Sequence, residues 1–207
     1  MKTTTLLRSA MAGAVFLALS AGGQAEVSTR ASAAPSGTYA MDPAHFRITA
    51  RISHFGFSHY VLWLKDANAS ISWNANEPEK SSLAVSMDAG SAFTGNPKFD
   101  DELDGPDWFD AAAHPEASFV SRTITRTSET TGTVEGDLTF RGVTQPVTLE
   151  VTFNGTAMHP LANTPAMGFS ARAAIKRSQF GMTKYVDFGI GDEVEVLIEA
   201  EFLKEPD

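Results

Sequence analysis

Past Thr38 the chain alternates between apolar and polar residues at period two, again and again. Phe46, Ile48, Ala50 and Ile52 interleave with Arg47, Thr49 and Arg51, and Ala69, Ile71 and Trp73 interleave with Ser70 and Ser72. The same pattern returns at Leu83-Val85-Met87, around Ala117 and Phe119, at Val147-Leu149-Val151-Phe153, at Met167-Phe169-Ala171-Ala173-Ile175 and at Val194-Val196-Ile198-Ala200-Phe202. Side chains two apart share one face of a strand, so each segment predicts a strand with one dry and one wet side. The last is the clearest, with Glu193, Glu195, Glu199 and Glu201 on the face opposite the apolar set. Gly132, Gly136, Arg141-Gly142 and Asn154-Gly155 read as turns between strands. Many short alternating strands without a β-α-β rhythm predict an all-β antiparallel sandwich or barrel.

Two stretches break the alternation. Residues 98–111 place Phe99 and Leu103 four apart among acids, then Gly105-Pro106, then Trp108-Phe109. That spacing predicts one or two short helical turns that plug or lid a barrel end. The acids lack the spacing of a calcium loop, and an acidic helix start accounts for them. Residues 60–64 are apolar on both strand faces.

The opening 25 residues carry Lys2 and Arg8, an apolar run to Leu19 and the small residues Gly23-Gln24-Ala25. This order predicts an export signal cut after Ala25, with Ala33 as a second cut site. The apolar run falls short of the roughly 20 residues a membrane-spanning helix needs, and the chain is expected not to be embedded in a membrane. Residues 26–37, rich in Ala, Ser and Gly, predict a flexible leader, and 38–207 a single domain. Removing 1–25 takes the formal charge from −9 to −11. With Lys176-Arg177 as the longest basic run, nucleic acid is excluded as a partner. The absence of cysteine excludes disulfides, thiolate metal sites and thiol catalysis. No nucleophile elbow, zinc-protease helix or phosphate loop is present, so no enzyme activity and no cofactor are expected.

Several motifs in order resemble the YceI-like family of periplasmic, polyisoprenoid-binding, lipocalin-like proteins. They are Tyr39 with Asp42-Pro43-Ala44-His45, then His54-Phe55-Gly56-Phe57-Ser58-His59, and Gly95-Asn96-Pro97-Lys98-Phe99-Asp100-Asp101-Glu102-Leu103 running on to Asp107-Trp108-Phe109-Asp110 and His114-Pro115. Gly136-Asp137-Leu138-Thr139-Phe140-Arg141-Gly142, Arg177-Ser178-Gln179-Phe180-Gly181 and Gly191-Asp192-Glu193-Val194 complete the set. The resemblance implies an extended eight-stranded antiparallel barrel whose pore holds an isoprenoid, quinone-like or other long-chain amphiphile, and it implies a homodimer by analogy. This chain departs from the family at 60–64, where an Arg- and Gly-containing run is usual, and at Gln179, where Asp is common.

Candidate ligand-binding residues follow from parity and chemistry. His54 shares parity with Ile48 and Ile52 and is expected to point inward near a mouth, either to meet a polar head group or as a core histidine bonded to backbone. His59 falls on the other face, which removes a His54/His59 metal pair. Asp42 and His45 either orient a head group or close an Asp-Pro turn before the first strand. Arg177 either grips a phosphate or carboxylate or ends a strand in solvent. Trp63, Trp73, Met87, Phe119, Phe140, Phe153, Phe169 and Phe202 are candidates for the pore wall or for an ordinary core, and a cavity decides between the two. The rival readings are a solid-core stress-response or interaction module and an enzyme acting on lipid through His54 and Asp42.

Overall fold

The computed structural model describes residues 26–206, and the expected export signal, 1–25, lies outside them. Ten strands form: β1 Gly37–His54, β2 Ser58–Leu64, β3 Ala67–Trp73, β4 Ser82–Asp88, β5 Ala92–Phe93, β6 Glu116–Arg126, β7 Thr131–Phe140, β8 Val143–Met158, β9 Pro165–Lys176 and β10 Ile190–Lys204; one helix, α1, spans Pro97–Leu103. Eight of them close a fully antiparallel barrel in the order β1-β3-β4-β6-β7-β8-β9-β10, with β10 returning to β1. Closure pairs the edges that an open sheet would leave exposed. The predicted all-β, eight-stranded antiparallel barrel is what forms.

β1 organises the barrel. One of its edges pairs with β10 nearly throughout, while the other pairs with β3 through residues 37–40 and with β2 through residues 48–54. At about 3.3 Å per residue an 18-residue strand reaches roughly 59 Å, so the barrel is elongated. Within β1, the four residues between Met41 and Phe46 oppose only one of β10, Glu201, between Phe202 and Ala200. The three extra residues flip the parity: Tyr39 faces inward before the bulge, Phe46 and Ile48 after it. Asp42-Pro43 therefore does not precede the first strand; it bulges it.

Three other expectations give way. Gly132 and Gly136 lie inside β7, and glycine is required there by close approach: a β-carbon at 136 would fall 2.4 Å from Phe119 Cζ, and one at 132 would fall 2.6 Å from the Thr125 carbonyl oxygen. Asn154-Gly155 is an irregularity within β8. The stretch 26–36 is seated on the barrel rather than loose: Ser28 exchanges two 2.9 Å backbone hydrogen bonds with Thr156, Ala34 is buried, and Ser36 Oγ accepts the Ala75 N–H at 2.9 Å. Small residues show no apolar period, yet they are what fits where backbone lies flat on backbone. Arg141-Gly142 is the turn the sequence promises, with both residues at positive φ between β7 and β8.

Burial along the strands divides the interior. On β10, Phe202 and Ala200 are buried, whereas the inward Ile198, Val196, Val194 and Ile190 are only partly so. On β1, Phe46 and Ile48 are buried while Ala50, Ile52 and His54 are partly accessible. One end is plugged by aromatic rings: Trp73 stacks on Phe153 at 6.2 Å, and Phe169 meets Phe202 edge-on at 6.0 Å. The other end is hollow.

Tyr39 ties the seated segment to the plugged end, donating its hydroxyl to the Pro35 carbonyl at 2.8 Å. Burial raises its phenol to about 12. A raised phenol stabilises the fold below pH 10, its ordinary value, and that contribution is lost as pH climbs through about 12. Tyr39→Phe is expected to cost about 1–3 kcal/mol at neutral pH by orphaning the carbonyl, and to remove this part of the decline in stability above pH 10. Urea melts at several pH values check both.

Candidate functional site: a half-hollow barrel

The hollow end encloses a cavity of about 560 Å³, within the roughly 300–1,000 Å³ usual for small-molecule sites. Its wall is apolar. Ile52 of β1, Leu138 of β7, Leu149 of β8, Ala173 of β9 and Val194 and Val196 of β10 face it from the barrel. β2 contributes Tyr60, Leu62 and Leu64, the inward half of the doubly apolar run. A second void of about 150 Å³ lies among the aromatic rings of the plugged end. Ile48, Val85, Leu149 and Ile198 line both, so the two meet at a common waist.

The gap beside β2 is covered by α1 and the turn that follows it. Pro97 starts the helix and Asn96 precedes it. Phe99, Leu103, Trp108 and Phe109 turn inward onto the cavity, and Leu103 and Trp108 cluster with Ala92 and Met182. The acids of this stretch have structural partners. Asp100 accepts the Thr94 backbone N–H at 2.7 Å and its hydroxyl at 2.6 Å. Glu102 accepts from Lys184 Nζ at 3.1 Å and from Trp108 Nε1 at 3.2 Å, while Lys184 also pairs with Asp107 at 3.2 Å. The two Lys184 contacts latch the lid to the 177–190 segment, and the others hold the lid together.

The hydrogen bond from Lys184, then that from Trp108, hold the Glu102 carboxyl below its ordinary value of 4.5. A depressed carboxyl stabilises the closed latch above that value, and the contribution is lost as pH falls through the depressed one. Acidification below about pH 4.5 is expected to loosen the lid, read as a change in Trp108 emission. Glu102→Gln should show the loosened signal already at neutral pH.

Arg177 is the one charged side chain buried in the wall among the described residues, 1 % exposed. Its Nε donates to the Gly191 carbonyl at 2.8 Å, one terminal nitrogen to Met182 at 3.0 Å and the other to Ile190 at 3.2 Å, with the guanidinium 5.7 Å over the Trp108 ring. Burial pulls its pKa below the usual value, partly opposed by the Asp192 charge. Asp192 in turn accepts from the Ser178 N–H and hydroxyl at 2.9 and 2.8 Å. Arg177 is thus no solvated strand end; it knits the mouth segments together.

The structure sorts the sequence candidates by place. His54, Met87, Phe119, Phe140 and Arg177 line the large cavity. Trp73, Phe153, Phe169 and Phe202 line the small void. Trp63 stands on the outer surface against Phe93, ring centres 5.7 Å apart, because the odd residues of β2 face out. Asp42 and His45 line neither cavity: at the β1 bulge His45 Nδ1 bonds Asp42 at 2.8 Å and lies 3.9 Å from Glu201. That hydrogen bond lowers the Asp42 pKa and raises that of His45. The His54 ring meets the Phe55 ring edge-on at 4.6 Å, and the His54 backbone carbonyl accepts the Phe57 N–H at 3.0 Å. Sequence reasoning left Leu103, Trp108, Phe109, Met182 and Tyr185 out of the site. For the first three the signal was the apolar spacing within the acidic stretch.

Comparison with known proteins agrees with this architecture. A protein of Pseudomonas fluorescens (strain SBW25) described as a UPF0312 protein is 38 % identical over 138 residues, covering 67 % of this chain and 71 % of its own. The crystal structure of Burkholderia cenocepacia BcnA superposes with a TM-score of 0.69 at 25 % identity, covering 78 % of this chain and 98 % of its own. A structure from Saccharophagus degradans, described as a polyisoprenoid binding domain implicated in plant cell wall breakdown, shares the fold at 12 % identity with a TM-score of 0.62, over 83 % of this chain and all of its own. The YceI-like domain matches residues 39–202, and the chain belongs to that family.

Proposed function

We propose that the barrel sequesters the apolar tail of a long-chain amphiphile (isoprenoid, quinone-like or fatty) in its hollow half, with the polar end of the molecule at the mouth. The observation that carries this reading is the contrast within one barrel: aromatic rings reduce one end to a void of about 150 Å³, while at the other the same inward positions surround an apolar cavity of about 560 Å³. A solid-core module would pack both halves. Each methylene transferred from water contributes roughly 0.8 kcal/mol, so a tail of about ten carbons supplies roughly 8 kcal/mol before the cost of association. His54, Tyr185, Asn96 and Lys98 are the polar groups at the mouth side of the cavity available to a head group. The polyisoprenoid-binding description of the Saccharophagus degradans relative points to the same ligand class.

Binding rather than catalysis is the reading. The pair an enzyme would use is not assembled, since His54 faces the cavity while Asp42 spends its carboxylate on His45 and the Ala44 N–H. The export signal expected in residues 1–25 supports a periplasmic site of action. Among the described residues no helix is long and apolar enough to cross a membrane. Titration with a water-dispersed fluorescent fatty-acid probe tests the proposal. Saturable binding is expected, with His54→Ala retaining affinity within about tenfold, the worth of one hydrogen bond, and no chemical change in the probe. Failure of the wild type to bind would sink the reading, and turnover lost in His54→Ala would favour the enzyme.

A further inference from the structure

The hollow end opens beside an exposed aromatic rim, of which only Tyr185 also lines the cavity. Phe57 is 90 % exposed, Phe188 73 %, Tyr185 50 % and Phe55 42 %. A Phe at a solvent-exposed turn tip is ordinary when single, but three such rings converge here from two segments, and Phe57 stands two residues from Phe55 on the same turn. The rings of Phe55 and Phe188 lie 6.1 Å apart, those of Tyr185 and Phe188 6.4 Å apart.

The convergence is built into the backbone. The Phe55 N–H donates to the Gly189 carbonyl at 2.8 Å, fastening the β1–β2 turn to the 185–189 segment. Phe55 and Tyr185 hold φ of 53° and 63°, the left-handed region that bulky side chains avoid. Gly189 must lack a side chain, because a β-carbon there would sit 2.7 Å from Phe55 Cδ1. A turn that needed only to turn would carry Asn or Gly at these positions. Strain retained at an exposed aromatic pair marks a surface that is used.

We propose that this rim docks the mouth of the barrel onto the interface of a neutral, zwitterionic bilayer, so that an apolar ligand passes between membrane and cavity without crossing bulk water. This rests on the lipid-carrier reading above. Tyr185 belongs to both the rim and the cavity lining, and His54 and Ile190, which line the cavity, adjoin Phe55 and Gly189 in the chain, so the surface is continuous with the ligand's entrance. Tyrosine favours the headgroup boundary, where an apolar ring and a hydroxyl both find partners, and phenylalanine rings bury just beneath it. The charges argue for a neutral surface. Lys184 is already paired with Glu102 and Asp107, and Asp187 is exposed beside Phe188. Lys98 at the cavity edge is a single cation within the field of Glu102, and an acidic protein with no basic cluster at its mouth among the described residues gains nothing from anionic lipid.

Flotation of the purified protein with phosphatidylcholine vesicles, alongside fatty-acid probe binding without vesicles, separates the two claims. The wild type is expected to float with these vesicles, to be insensitive to salt and to gain nothing from added phosphatidylglycerol. Phe57→Ser/Phe188→Ser is expected to lower partitioning by at least about tenfold, the effect of withdrawing ring area from an apolar phase, while binding the free probe as tightly as wild type. Probe binding without flotation overturns the docking and leaves the carrier reading standing, whereas rim-dependent flotation without probe binding does the reverse. A requirement for anionic lipid, or a concentration-dependent dimer that Phe57→Ser/Phe188→Ser dissolves in place of flotation, also overturns the docking.

Discussion

Ala173→Phe is expected to cost about a hundredfold in affinity for a long-chain amphiphile while leaving the barrel folded and at least as stable. Ala173 points inward from β9, opposite Val196, onto the apolar wall of the large cavity. A phenyl ring there displaces about three to four methylenes of a bound tail at roughly 0.8 kcal/mol each, close to 3 kcal/mol, which is about two orders of magnitude in affinity. In a tightly packed core the same enlargement costs about 1–3 kcal/mol in overpacking. Here it enters a void, so the melting temperature should hold or rise. Ala174→Phe, one residue along and exposed, is the control and should leave probe affinity unchanged. If Ala173→Phe destabilises the fold as a filled core would, the cavity is not open in solution.

Arg177→Met carries the largest expected loss of stability. Replacing the guanidinium removes the donors for three backbone carbonyls, those of Gly191, Met182 and Ile190, and the cation over Trp108. Orphaning buried carbonyls costs about 1–3 kcal/mol each when water cannot reach them. A net loss of about 3–5 kcal/mol is expected once the mouth segment relaxes, or roughly 6–20 °C in melting temperature for a domain of this size. Arg177→Lys cannot reproduce the planar fork and should fall between. Thermal melts with and without ligand check this. A head-group role alone predicts lost affinity with an unchanged apo melt, and a mouth-knitting role predicts that the apo melt falls.

Much of the barrel was legible because a strand with one wet face writes its geometry as alternation. The glutamates of β10 and the isoleucines of β1 left no other face for the interior. What alternation cannot encode is depth along the barrel axis. Trp73 and Phe169 share the inward parity of Met87 and Phe119, yet the first two plug one end and the last two line the hollow one. Inward-facing residue types are alike in both halves, and only the closed barrel shows where their volumes fail to fill it. Trp63 is a candidate for wall or core by sequence, because a doubly apolar run gives no parity to read, yet the odd residues of β2 face out. Gly132 and Gly136 carried the marks of turns but serve close contacts with neighbouring strands. The β1 bulge at 42–45 took Asp42 and His45 to the outer surface, and a three-residue slip of that kind is visible only once β10 is laid beside β1.

The central claim, that the hollow half is an occupied binding cavity in the cell, is tested most directly by purifying the protein from its own cells without detergent and recording its native mass spectrum, followed by solvent extraction and identification of what is released. The account predicts a discrete mass increment of one isoprenoid, quinone-like or fatty molecule per chain, absent from Ala173→Phe. An unliganded mass in the wild type that also takes up no added long-chain amphiphile would contradict it.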